Sequence, residues 1–150
     1  MGSNGERILS TQRSGTEDDE RMIDMRNIRF RGKRLDNGEW VYGYYVYQPA
    51  FNEGQIYAWT KDYADLEKPV EVDPATVGQY TGLKDKNGKD GYEQDTVRRG
   101  LSIGIIKFDQ GHFYIDWGKN PENWSDTIYV HLPDSEIIGN VHDNPELLGK

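Results

Sequence analysis

Residues Asp85–Asp90, which read DKNGKD, have the look of a cation loop. An EF-hand loop places oxygen ligands at positions 1, 3 and 5, a glycine at 6 and a bidentate carboxylate at 12. Asp85 and Asn87 fit positions 1 and 3, but Gly88 falls at 4, Lys89 at 5 and Thr96 at 12. Lys84, Lys86 and Lys89 also put positive charge where the cation would sit. The same residues make a good hairpin turn, because Asn87-Gly88 supplies the positive φ values that a tight turn requires. On this reading the stretch binds no metal. Asp85 and Asp90 flank the turn, serving solubility or local hydrogen bonds, and Asp85 is expected to matter less to stability than Gly88.

Other chemistry finds less support. The glycines between Val77 and Gly100 match neither the P-loop nor the dinucleotide fingerprint, so no cofactor is expected. The histidines, His112, His131 and His142, have no partner histidine at ligand spacing, although a site built in space with Asp109, Asp116 or Asp143 stays open. With 26 acids in the chain a pair of carboxyls carries no information by itself. No nucleophile elbow or triad order stands out, so catalytic residues are none and the protein is read as no enzyme.

Cations gather twice: at Arg26, Arg29, Arg31, Lys33 and Arg34, and at Lys84, Lys86, Lys89, Arg98 and Arg99. The first group alternates with Ile28 and Phe30, which puts Arg29 and Arg31 on one face of a strand. Beside Trp40 and Tyr42 they could form a stacking surface for single-stranded nucleic acid. The plainer reading is the charged, solvated face of an edge strand.

The net charge of −8 weighs against a polyanionic partner. There is no cysteine, so there is no disulfide framework and no thiol chemistry. No apolar run approaches the roughly 18 residues that span a bilayer, and the N-terminus lacks the apolar core of a signal peptide. A cytoplasmic protein without a membrane partner is expected.

The elements that would hold these residues are mostly strands. Residues 1–24 carry too little apolar surface to offset their ordering entropy and are read as a disordered extension. Residues 25–150 are read as one domain. Runs on either side of Asp36-Asn37-Gly38 form a first hairpin. In its second strand Trp40, Tyr42, Tyr44 and Val46 share one face, and Val41, Gly43, Tyr45 and Tyr47 the other. Both faces are largely apolar or aromatic, so each is covered by the chain or is an interface.

Further strands are predicted at Gln55–Thr60, before Asp73-Pro74, and at Val77–Tyr80. A hairpin follows, Ile103–Phe108 and His112–Trp117 around Asp109-Gln110-Gly111, and then strands at Thr127–Leu132 and Ile137–Val141. Asn144 is placed as the cap of a short helical turn begun by Pro145. The sum is a mainly β fold, a small barrel or sandwich of short antiparallel strands with few helical turns.

The stretch VGQYTGLKDKNGKDGYEQDTV, Val77–Val97, resembles the YopX family of phage and prophage proteins. The family pattern is V-G-Q-[YF]-T-G-L-x-D-K-N-G-x-x-I-[YF]-E-G-D-[IV]-V. The opening, Ile28–Val46, is similar to the family's first hairpin, and Asp134–Leu148 is similar to its closing I-G-N-[IV]-x-x-N-P-E-L-L. Three positions depart: Gly91 replaces an apolar residue, Gln94 a glycine, and Thr96 an apolar β-branched residue. If that glycine takes positive φ, Gln94 carries a backbone cost, and Gly91 is expected to leave a small gap.

The resemblance implies a mostly β domain with a small, SH3-like barrel in its second half, a home in mobile genetic elements, and no catalytic residues to transfer. The expected function is that of a non-enzymatic accessory protein acting through protein contacts, with a homo-oligomer as one form of these. The candidate interaction surface is Trp40, Tyr42, Tyr45, Tyr47, Arg29 and Arg31. The alternative is a small β-barrel binding single-stranded nucleic acid.

Overall fold

A computed structural model describes residues 26–58, 69–119 and 127–148. The expected disordered extension, 1–24, and the expected strand end at Thr60 lie outside them. Strands β1 (Phe30–Arg34), β2 (Trp40–Gln48), β3 (Glu53–Ala58), β4 (Val70–Lys84) and β5 (Asp90–Tyr92) form one antiparallel sheet. Strands β6 (Asp95–Arg99), β7 (Ser102–Asp109), β8 (His112–Asp116) and β9 (Glu136–Asn140) form a second, in the order β9-β6-β7-β8. The fold is mainly β, as the turn spacing predicts.

In the first sheet β1 pairs with β2, β2 with β3, β3 with β4, and β4 again with β1. β1 is therefore not the edge strand that its charges imply; it has a hydrogen-bonded neighbour on each side. Ile56 and Val72 are fully buried inside this ring. A Cβ on Gly32 would come within 3.1 Å of Val72, so the small residue lets β1 lie close over them.

β4 corrects the sequence reading. Two short strands were expected around Asp73-Pro74, but Val70–Lys84 is one strand with an irregularity opposite Arg31 and Lys33. The bulge needs no break because Thr76 closes it. Its hydroxyl accepts from the Lys33 N–H at 2.9 Å and donates to the Asp73 carbonyl at 2.6 Å.

The run Tyr92–Val97 is divided between the two sheets. Tyr92 ends β5, Glu93-Gln94 turn, and β6 begins in the other sheet. Gln94 has φ 74°, which a continuing strand cannot adopt, so this residue carries the predicted backbone cost. Its N–H donates to the Ile106 carbonyl at 2.7 Å, and its own carbonyl accepts from Val141 at 3.0 Å. The crossing is thereby tied to β7 and to the turn after β9.

The second core contains Val97, Ile106, Ile115, Trp117, Ile128, Leu132 and Ile137, with Leu83 and Phe113 packed against it. The expected strand Thr127–Leu132 is instead a short helix, α1 (Ile128–His131), followed by a 3-10 turn Leu132–Asp134. Pro133 lies in that 3-10 turn and supplies no N–H for a ladder. The helical turn leaves Tyr129 and Val130 exposed while Ile128 and Leu132 are buried. Leu132 fills the space beside Gly91: a Cβ there would lie 2.8 Å from Leu132 Cδ2. Gly91 thus leaves no gap. Thr96 is fully buried with its hydroxyl unpartnered. The second sheet pairs as a row of four strands.

Two turns complete the frame. Asn144 stands at the head of the helical turn Pro145–Leu148, where its carbonyl accepts from the Leu147 N–H at 3.1 Å, and its Oδ1 accepts from the Asn140 N–H at 3.3 Å. The DKNGKD hairpin joins β4 to β5 by pairing Lys84 with Asp90. Within it Gly88, φ 83°, donates to the Asp85 carbonyl at 3.0 Å, while Asn87 has no positive φ. The turn therefore spans Asp85–Lys89 with one left-handed residue.

Candidate functional site

The Arg29–Arg31 side of β1 faces the rings of the DKNGKD arm. Arg29 lies 4.0 Å over the Tyr80 ring, donates from Nε to the Tyr92 hydroxyl at 2.9 Å and forms an ion pair with Asp90. Arg31 is 6% exposed, and its Nη2 lies 2.8 Å from Asp95 Oδ1. Its guanidinium is 4.6 Å from the Trp40 ring and 5.0 Å from the Tyr92 ring. Tyr80, Tyr92 and Val97 are buried. The arginines expected on a solvated face are thus largely spent inside the protein.

Burial is the largest influence on the Asp95 carboxyl and pushes it above the ordinary range, against the pull of Arg31 and of the Tyr92 N–H. Burial also pushes Glu93 up, opposed by the Gln79 N–H. These two acids flank the crossing at Gln94.

Trp40 belongs to a third cluster. Its Nε1 donates to Asp143 Oδ2 at 2.7 Å, and Lys33 Nζ lies 2.6 Å from Asp143 Oδ1. Asn140 Nδ2 adds a bond of 3.2 Å. The Lys33 bond first, then the Trp40 bond, hold the Asp143 carboxyl down to about 2. The His142 ring stands 6.0 Å from Trp40 and its Nε2 meets Gln94 Oε1. Burial, then Arg31 and Lys33, lower the His142 pKa.

Of the other candidate residues, Tyr45 is half-covered. Its ring lies 5.7 Å from Phe30, and a Cβ on Gly54 would come within 2.9 Å of it. Tyr47 stacks on Tyr45 at 6.4 Å and its hydroxyl donates to Asn52 at 2.9 Å, yet it remains exposed. The opposite face is the more open one. Tyr42, Tyr44 and Val46 are 42%, 52% and 42% exposed. Of the six residues expected at a surface, Tyr42 and Tyr47 are exposed, Trp40, Tyr45 and Arg29 are partly covered and Arg31 is buried, while Tyr44 and Val46 are exposed beside them.

Between Tyr42 and Tyr92 lies a groove of about 360 Å³, lined also by Arg29, Arg31, Lys89 and Asp90. The two tyrosine rings meet edge-on, with centroids 5.6 Å apart. The histidines do not converge. His112 lies tilted against Tyr114, His131 stands edge-on to Trp117 and His142 meets Gln94. Asp116 is held by Lys107 at 2.7 Å. No group of metal-ligating side chains forms among the described residues.

Two antiparallel sheets, with an arginine–tyrosine groove lined by residues of the first, define a small β domain. The chain belongs to the YopX family: residues 29–149 match the YopX protein family. It is similar in fold to a protein from Enterococcus faecalis, EF1440, with 19% identity and a TM-score of 0.51. That match covers 83% of this chain and 99% of the other. No curated protein matches the chain. No helix among the described residues is long and apolar enough to cross a membrane.

Proposed function

We propose that the protein is a non-enzymatic accessory protein of a phage, prophage or mobile element, working through protein contacts made by the open face of β2. The observation that carries this is the exposure of Tyr42, Tyr44 and Val46 side by side on one strand face. Tyrosine is enriched in the anchoring centres of protein interfaces, and a clustered apolar face favours being covered. The neighbouring cations speak against the nucleic-acid alternative. A single-strand binder needs free cations along a track. Here Arg29, Arg31 and Lys33 are each held by an aspartate.

The test pairs light scattering with capture from the host cell, using the full chain and a Tyr44→Asp/Val46→Asp variant. The expected result is a dimer or a discrete captured protein, lost in a variant that melts at the wild-type temperature. A monomer that captures the same proteins with and without the two substitutions defeats the reading. Low-salt titration with oligonucleotides is expected to show no binding; salt-sensitive binding would replace the protein-contact reading with the nucleic-acid one.

A further inference from the structure

We propose that the groove between Tyr42 and Tyr92 seats a single carboxylate, the side chain of an aspartate or glutamate on the protein that docks against β2. This rests on the protein-contact reading above. Tyr42 connects the two, being both a wall of the groove and the first residue of the exposed face.

The charge at the groove sets the choice of ligand. Arg29 and Lys84 share Asp90, and Arg31 holds Asp95. Lys89 lines the groove and is exposed, and its field reaches Asp85 and Asp95. Lys89 forms no ion pair among the described residues. Of the charged groups that line the groove, Arg29, Arg31 and Lys89 stand against Asp90, with Asp95 held on Arg31, leaving about one positive charge in a protein whose overall charge is −8. An excess of one suits one carboxylate and not a polyphosphate, whose further charges would meet Asp90 and the acidic surface.

The shape agrees. A groove of about 360 Å³ has room for a side chain and its neighbours. The stem of a glutamate can lie along the exposed Tyr42 ring while its head reaches Lys89 at the rim. An exposed charge such as Lys89 contributes through steering and selection more than through raw affinity, so the ligand is read as anion against neutral isostere.

The probes are two capped tripeptides, acetyl-Leu-Glu-Leu-amide and acetyl-Leu-Gln-Leu-amide, followed by the NMR signals of the full chain. The glutamate peptide is expected to shift the Arg29 Nε–H and the Tyr42 and Tyr92 rings, and to bind about tenfold more tightly than the glutamine peptide. Lys89→Glu should remove that preference while leaving the melting temperature near wild type, since the side chain is exposed. Equal binding of the two peptides, an unchanged preference in Lys89→Glu, or inorganic phosphate binding as tightly at the same signals would each overturn the proposal. The peptide assay involves no cellular partner. Its failure therefore leaves the β2 contact reading standing, and a protein that prefers the glutamate peptide but captures nothing sinks that reading alone.

Discussion

Asp85 Oδ2 lies 2.9 Å from the backbone nitrogen of Ile137, 52 residues further along, and accepts its N–H in the interior. Asp85 Oδ1 accepts from Asn87 at 2.8 Å and from Lys89 at 2.9 Å. One buried carboxylate therefore shapes the hairpin and fastens it to β9, and the Lys86 N–H adds a bond to the Ser135 carbonyl at 2.9 Å. This reverses the ranking expected from the sequence. Asp85→Ala strands three backbone donors and should cost roughly 2–4 kcal/mol. Gly88→Val should cost about 1–3 kcal/mol, all of it backbone strain, because a Cβ there meets nothing within 4 Å. Urea denaturation with and without calcium checks both points. A smaller loss for Asp85→Ala than for Gly88→Val, or a calcium effect, would contradict this account.

Arg31 and Asp95 form a buried pair, with side chains 8% and 3% exposed. Removing one partner leaves an uncompensated charge, so Arg31→Ala should destabilise by about 3–5 kcal/mol. Arg34→Ala, whose partner Asp36 is exposed, should leave stability close to wild type. Thermal melts of the two variants separate a structural arginine from a surface one. Equal, small effects would return Arg31 to the solvated face that its alternation implies.

Gln94 combines a cost and a contact. Its φ of 74° disfavours any residue with a Cβ, while its side chain meets His142. Gln94→Ala removes the contact and keeps the strain. Gln94→Gly removes both, and should be more stable than the alanine variant by about 1 kcal/mol. Chemical denaturation of the pair measures the difference directly. An alanine variant as stable as the glycine variant would mean that the strain has been relieved elsewhere.

Acid should loosen the clamp on Trp40. Asp143 titrates at about 2 in the folded protein, against about 3.9 in an unfolded chain. Its contribution is thus present above the unfolded value and lost as pH falls from about 4 toward 2. The Asp85 carboxyl adds in the same sense: burial, the largest influence, pushes it up, but the N–H groups of Ile137, Lys89 and Asn87 outweigh it and leave it lowered. Glu93 and Asp95, raised by burial, act in the opposite sense and favour the folded state at low pH. Asp143→Asn should therefore lower stability at pH 7 more than at pH 2, by about 1 kcal/mol or less given its exposure. Denaturation at the two pH values tests the sign. An equal loss at both would remove Asp143 from the acid response.

The strand content and both outer hairpins are legible in the chain alone. These depend on local rules. Alternation of apolar side chains set Ile103–Phe108 against His112–Trp117, and glycine at a turn marked Gly38 and Gly88. The positive φ at the Gln94 position was also legible, because one residue's backbone preference is a local property.

Only the tertiary structure decided the partners. Arg31 finds Asp95 across 64 residues, Lys33 finds Asp143 across 110 and Asp85 finds Ile137 across 52. No local pattern encodes such pairs in a chain with 26 acids. Thr127–Leu132 reads as a strand by composition and is a helical turn, since Leu132 is needed in the space beside Gly91 and packing overrides propensity. β1 reads as an edge and is paired on both sides, because the ring closes through β4, whose paired residues lie 38 to 49 positions away in sequence (Arg34 with Val72, Phe30 with Gln79). Closure and ion pairing between distant segments depend on where the whole chain folds back, and that is set by the assembled core and not by any stretch read alone.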